Sequence, residues 1–262
     1  MLTILDQFLD WLPEGYVGYR PVLADALHYY WQQLSETQQQ SMLAHQSALP
    51  RSARLEVRLL TFLLESPILH KLGQVLARHE DLDPELRRFL QRLEVLSTNR
   101  SHQEITELVQ KAMGSRHQTV LRSIGQPLAE ASVAVVVPVV CETPTVPFRD
   151  GVLKLRKPGV QERFEQEIPI WEELGDILTE SCRSRGLPAM DYRGVVDRVM
   201  TLLRGDLDFM QEYRHLRLAT KVFAGDRSVR VPEVSDRFLP DALLMERLPG
   251  ETLNACLSSD ST

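Results

Sequence analysis

A single change of hydrophobic period, near residue 131, governs how this chain can fold. Before about residue 115, apolar side chains recur at the three- and four-residue spacing of amphipathic helices and almost never alternate. From Ala131 the run Ala-Ser-Val-Ala-Val-Val-Val-Pro-Val-Val-Cys141 is rich in β-branched residues, and Gly151-Val-Leu-Lys-Leu-Arg156 alternates before a Pro158-Gly159 stop. Helical periodicity then returns, followed by two more short β-prone runs. Helices in series with a few separate strands place the chain in the α+β class. The expected organisation is a helical amino-terminal region over residues 1–120, packed on a small antiparallel sheet with flanking helices over residues 121–262.

The spacing predicts a helix over 21–40, with Tyr29, Tyr30, Trp31 and Leu34 on its apolar side, and another over 54–65 carrying Leu55, Val57, Leu59, Leu60, Phe62 and Leu63. Apolar faces this wide pack against other helices. A further helix starts after Ser66-Pro67, where proline suits a first turn because its missing N–H is not needed, and runs to about residue 79. The next opens at Asp83-Pro84-Glu85 and continues through Leu86, Phe89, Leu90, Leu93 and Leu96. Strands over 131–141 and 151–156 pair as a hairpin around a loop holding two prolines. Helices over 160 to about 185 and 192 to about 223 follow, separated by Gly186-Leu-Pro188, and strands return over 229–234 and 242–246.

Hydrophobic residues make up 43% of the chain, enough for a packed core, which argues against disorder. A formal charge of −6 supplies no global basic field and argues against broad nucleic-acid binding. Cys141, Cys182 and Cys256 are odd in number and widely spaced, so they suggest neither a disulfide framework nor a zinc site. The seven histidines show no ligand spacing, and no metal site is expected from them. The acidic start lacks the positive charge of a signal peptide, and no run approaches the roughly 20 apolar residues of a membrane span. The expectation is a soluble chain of the reducing cytosol, with peripheral contact at a membrane surface still open to it.

Lysine occurs only at Lys71, Lys111, Lys154, Lys157 and Lys221, arginine supplying the remaining basic residues. Lysine is the compact ammonium that holds one phosphate oxygen or carboxylate, which makes each position worth attention. Walker, dinucleotide-binding, zinc-protease and nucleophile-elbow patterns are absent. What is present is a strand lysine, Lys154, followed by acid-bearing helices and two short strands ending in Met245-Glu246. That is the order of a kinase amino lobe, where an acid from a neighbouring helix holds the strand lysine toward the nucleotide's α- and β-phosphates.

Three separated segments, in order, resemble the UbiB/AarF (ADCK-like) family of atypical, protein-kinase-like proteins. The first is Lys71-Leu-Gly73-Gln74, similar to the family's Lys-x-Gly-Gln signature. The second is Val152-Leu-Lys154-Leu-Arg-Lys157-Pro-Gly-Val160. The third is Asp206-Leu-Asp208-Phe-x-x-Glu212, followed by Val229-Arg-Val-Pro232 and Met245-Glu246-x-Leu-x-Gly250. The resemblance spans roughly residues 65–255. It implies a protein-kinase-like N-lobe, with Lys154 on the nucleotide phosphates and Glu212 as its acidic partner, Asp206 being the second candidate. It further implies a regulatory role for Lys71, Gly73 and Gln74, on a helix held to lie over the nucleotide site. Ala131, Ser132 and Glu246 would complete the nucleotide contacts, Glu246 at the hinge and chiefly through backbone groups. The ligands so implied are ATP or ADP with Mg²⁺, and the setting is ubiquinone or other isoprenoid-lipid metabolism.

Two departures qualify the resemblance. Where the family carries Ala-Ala-Ala-Ser-Ile-Gly-Gln-Val, this chain has Ala129-Glu-Ala-Ser-Val-Ala-Val-Val136, so β-carbons stand where backbone would approach phosphate. Thr262 follows soon after the hinge-like segment, and the 262 residues hold no catalytic loop or Asp-Phe-Gly segment in the required order. The expectation is a chain that does not by itself turn over ATP. The alternative reading is a non-catalytic scaffold whose helical face around Lys71 and Gln74 binds a protein partner, a membrane surface or an isoprenoid lipid. Taken singly, Lys71 reads as a solvated helix charge and Glu212 as a helix ion-pair partner.

Overall fold

The architecture is that of a computed structural model describing residues 2–10, 12–93, 100–142, 144, 146–188, 190–236, 239–251 and 256. In chain order it contains helices α1 (Leu2–Asp10), α2 (Arg20–Gln33), α3 (Glu36–Ala48), α4 (Leu55–Leu64), α5 (Pro67–Ala77), α6 (Pro84–Gln91), α7 (His102–Met113) and α8 (His117–Val120). Strands β1 (Leu121–Ile124), β2 (Ala129–Glu130), β3 (Ala134–Cys141) and β4 (Asp150–Arg156) follow, then α9 (Val160–Ser184), α10 (Tyr192–Leu207), α11 (Phe209–Val222) and β5 (Ala242–Glu246). The fold is α+β. Two compact units form, one from Met1–Ser97, Glu130–Val133 and Lys157–Leu207, the other from Thr98–Ala129, Ala134–Arg156 and Asp208–Thr262.

The first unit is helical. Within it α9 packs on α2 and α10, and α5 packs on α6 and α10. Aromatic rings fill its centre: Tyr30 meets Trp171 at 5.5 Å and Phe62 edge-on at 6.4 Å, and Phe8 lies 5.9 Å from Phe62. Rings that bury this much apolar surface dominate the energetics of a small core. The helix expected over 21–40 is two helices: the chain breaks at Ser35, whose hydroxyl accepts from Gln38 N–H while the Gln38 side chain accepts from the Ser35 backbone. That capping box stops α2 and starts α3. Ser66 and Asp83 cap α5 and α6 as the Ser-Pro and Asp-Pro steps suggest. Here α5 ends at Ala77 and α6 at Gln91, while Leu96 lies outside the described residues.

The second unit carries the sheet, in the order β1-β3-β4-β5 with β2 also pairing β3. β3 and β4 form the expected antiparallel hairpin, and β5 runs antiparallel to β4 on its other side. Alternation along β4 sends Leu153 and Leu155 into a core shared with Val135, Val137 and Val139 of β3 and Ile105, Val109 and Met113 of α7. Lys154 therefore falls on the opposite face, in register with Val136 and Leu243. The short strands β1 and β2 escape the sequence reading. The strand expected over 229–234 reduces to an isolated bridge between Val234 and Met245, because Pro232 has no N–H to offer a ladder. The helix expected over 192–223 is broken at Asp208, whose carboxylate caps α11 by accepting from Gln211 N–H at 2.8 Å.

Candidate functional site

In the second unit Lys154 Nζ donates to Glu212 Oε2 at 2.6 Å. The lysine is fixed by its place on β4, between β3 and β5, and the glutamate by α11, whose first turn the Asp208 cap holds. Phe209, which is 1% exposed, lies under the cation, its ring centroid 5.1 Å from Lys154 Nζ and 5.3 Å from the Arg156 guanidinium. A partly desolvated cation over an aromatic face gains an attraction of about 1 kcal/mol. The result is a strand ammonium held in one direction by an acid and a ring, with 21% of its side chain still open to solvent.

In the first unit Lys71 Nζ donates to Asp206 Oδ2 at 2.7 Å, tying α5 to α10. Asp206, the second candidate for the Lys154 partner, thus serves Lys71. The break at Asp208 explains the division: the Asp206-Leu-Asp208 run ends α10 in one unit and starts α11 in the other.

The rest of the Lys-x-Gly-Gln motif is also occupied within the first unit. A Cβ on Gly73 would fall inside van der Waals contact of Leu93 Cδ1 and reach Leu90 at 3.6 Å, so the glycine lets α5 approach that leucine pair. The Leu93 carbonyl accepts from the Gln74 amide and from the His70 ring, both at 3.0 Å. Burial holds the His70 imidazole neutral, down to about 4, against a smaller opposing pull from the Leu93 hydrogen bond. A third lysine, Lys157, pairs with Glu130 at 2.8 Å, a contact that no local pattern of residues marks.

The expected nucleotide loop is strand-like where the family pattern departs. Ala134 and Val135 are fully buried, paired with Arg156 and Leu155; Ala131 is exposed and Ser132 buried. Glu246 ends β5 beside an open cleft of about 690 Å³ lined by Phe148, Asp150, Arg230, Arg247 and Gly250. Its backbone N–H donates to the Glu233 carbonyl at 2.7 Å, and its carboxylate pairs with Arg230. Among the described residues no group of three or more His, Cys, Asp or Glu is placed to hold a metal ion.

A small antiparallel sheet in which β4 carries a lysine bound by a helix glutamate is the layout of a kinase-like amino lobe, and a family model agrees. The ABC1 atypical kinase-like domain model matches residues 95–262, and the chain belongs to that family. A curated relative, uncharacterized protein sll1770 of Synechocystis sp., is 26% identical over 188 residues, which are 70% of this chain and 31% of that protein. The chain thus spans about a third of the length of the curated relative it matches. A solved complex of Rv3197 with erythromycin from Mycobacterium tuberculosis is 17% identical with a TM-score of 0.48, covering 86% of this chain and 46% of that one.

Proposed function

We propose that this chain is the nucleotide-anchoring part of a UbiB/AarF-type atypical kinase, with Lys154 held by Glu212 to receive the α- and β-phosphates of ATP or ADP. The observation that supports it is the 2.6 Å Lys154–Glu212 pair over Phe209, since an ion-paired strand lysine is what phosphate orientation requires in kinase-like lobes. On this reading the ammonium exchanges part of its contact with Glu212 for phosphate oxygens, and the acid keeps it from swinging away. Glu246 is proposed to bound the nucleotide, and Lys71, Gly73 and Gln74 to act through the placement of α5. A role in ubiquinone or other isoprenoid-lipid metabolism follows from the family resemblance and carries that weight alone.

The test is thermal unfolding and calorimetry with MgADP and MgATP. Nucleotide should raise the melting temperature of the wild type and leave Lys154→Met unmoved, with Glu212→Gln in between. Failure of both nucleotides to bind, or equal binding by Lys154→Met, sinks the reading.

One observation favours a second role, as a scaffold at an anionic membrane surface. The outward side of α11 exposes Leu218 (58%) and Val222 (65%), one helical turn apart, with Phe223 beside them. Arg214 and Lys221 are exposed on the same helix. Apolar side chains projecting from a basic helix suit an interfacial layer of anionic lipid. Among the described residues no helix is long and apolar enough to cross a membrane. Co-sedimentation with phosphatidylglycerol vesicles, absent with phosphatidylcholine and lost in a Leu218→Ser, Val222→Ser double variant, is the expected result; no binding to either vesicle removes this role.

A further inference from the structure

The exposed side of α11 carries two parallel rows of side chains. Arg217, Thr220 and Lys221 stand three and four residues apart and share one row. Leu218 and Val222, each one residue further along, form the next row round the helix. The polar row is one wall of a cleft of about 280 Å³, and Glu233, Val234 and Asp236 stand on the other. All of these residues belong to the second unit. The far wall is fixed by the sheet: the Glu233 carbonyl accepts from the Glu246 N–H at 2.7 Å, Val234 bridges to Met245, and the Ser235 N–H donates to the Leu244 carbonyl at 2.9 Å. A volume at the small end of the range for ligand sites suits a compact polar group better than a nucleotide.

Two of the four charges on these walls neutralise each other, since Arg217 donates to the Asp236 carboxylate at 2.7 Å. Lys221 and Glu233 are the other two, one of each sign, and they stand on opposite walls. Thr220 Oγ1 donates its proton to the Leu216 carbonyl at 2.9 Å, so towards the cleft it can only accept. The cleft therefore offers an ammonium to an anion, and a carboxylate with a hydroxyl oxygen to a group that has N–H bonds to give. A ligand that is only anionic meets Glu233 as a like charge, and one that is only cationic meets Lys221. A compact zwitterion matches both walls.

We propose that this cleft takes the phosphoethanolamine headgroup of a membrane lipid, with Lys221 on the phosphate, Glu233 and Thr220 on the primary ammonium, and the acyl chains beside Leu218 and Val222. The choice of a lipid over a free phosphate ester rests on the membrane-surface reading of α11, because the apolar row runs alongside the cleft. Headgroup selection follows from the far wall. Phosphocholine has no N–H to give Glu233 and Thr220, phosphoglycerol leaves Glu233 without a cation, and phosphoserine brings a second carboxylate against it.

The experiment is co-sedimentation of the full chain with two sets of vesicles of equal phosphatidylglycerol content, one completed with phosphatidylethanolamine and the other with phosphatidylcholine. The wild type should bind the ethanolamine set about fivefold more tightly, the upper worth of an exposed charge pair. Glu233→Gln is the diagnostic variant, because removing an acid strengthens attraction to any anionic vesicle yet removes the ammonium's partner. It should bind the choline set at least as well as the wild type does and show no preference between the sets. Lys221→Gln should weaken binding to both sets and lose the preference as well. Equal binding of the wild type to both sets, or a preference that survives in Glu233→Gln, overturns the proposal and leaves the membrane reading standing. Absence of binding to either set removes the membrane reading itself. O-phosphoethanolamine and phosphocholine are then titrated against the wild type by NMR: shifts at the Thr220 and Glu233 amides with the first and not the second, in a protein that ignores vesicles, overturn the lipid assignment in favour of a soluble ester.

Discussion

Two buried groups of the first unit titrate in opposite senses over the same pH range, and their cancellation can be measured. Burial holds His70 down to about 4 from an ordinary value of 6.5, and pushes Glu167 up to about 7 from 4.5. As pH falls below 6.5 the unfolded chain takes up a proton on His70 that the folded chain refuses, so stability from this group rises with pH between about 4 and 6.5. As pH rises above 4.5 the unfolded chain gives up a Glu167 proton that the folded chain keeps, so stability from that group falls with pH up to about 7. Each slope is about 1.4 kcal/mol per pH unit, and each displacement is worth about 3 kcal/mol in total. Between pH 4.5 and 6.5 the two slopes offset each other. The assay is urea unfolding followed by tryptophan emission, which reports on the first unit because Trp11, Trp31 and Trp171 all belong to its segments. These groups give the wild type a flat profile across the window. His70→Gln should lose stability with rising pH and Glu167→Gln should gain it, each by about 1.4 kcal/mol per unit. Parallel profiles for the three proteins refute the reasoning.

Gly73→Ala drives a methyl into fully buried Leu93, whose carbonyl also receives the His70 and Gln74 bonds. A loss of about 1–3 kcal/mol in urea unfolding is expected, and an unchanged midpoint would show that the leucine yields freely. Asp208→Ala removes the α11 cap and should cost about 1 kcal/mol, seen as faster exchange at the Gln211 amide, with Asp208→Asn close to wild type.

Local chemistry made the helix starts and the hairpin legible. Ser66-Pro67, Asp83-Pro84 and the β-branched run ending at Cys141 each carry a signal that acts within a few residues, and the structure places α5, α6 and β3 accordingly. The break at Ser35 was equally local, a Ser-x-x-Gln capping box, yet continuous periodicity across it concealed the signal. β1 and β2 are too short to show alternation; their pairing depends on β3. Asp206 and Glu212 looked like rivals for one lysine because a single helix was expected there. The cap at Asp208 gives each acid a different helix and a different lysine. Glu167 was invisible for another reason: among Glu162, Glu165, Glu172 and Glu173 on the same helix, only tertiary packing decides which acid is buried.

The pairs also account for the sparing use of lysine. Three of the five lysines, Lys71, Lys154 and Lys157, sit at 16–21% side-chain exposure, each against an acid. A compact ammonium fits such one-to-one, partly buried contacts where a guanidinium fork would need more acceptors. For Lys154 that geometry is compatible with a phosphate taking the acid's place. For Lys71 it has a structural consequence first. α5 is held at its start by Ser66 and Glu167, along its length by His70 and Gln74 on the Leu93 carbonyl, and across to α10 by Lys71 on Asp206. Every conspicuous position of the Lys-x-Gly-Gln motif therefore has a partner inside the first unit. A substitution at Lys71, Gly73 or Gln74 moves α5 before it removes any ligand contact. Loss of nucleotide binding in such a variant thus counts as a binding effect only when exchange across α5 is unchanged.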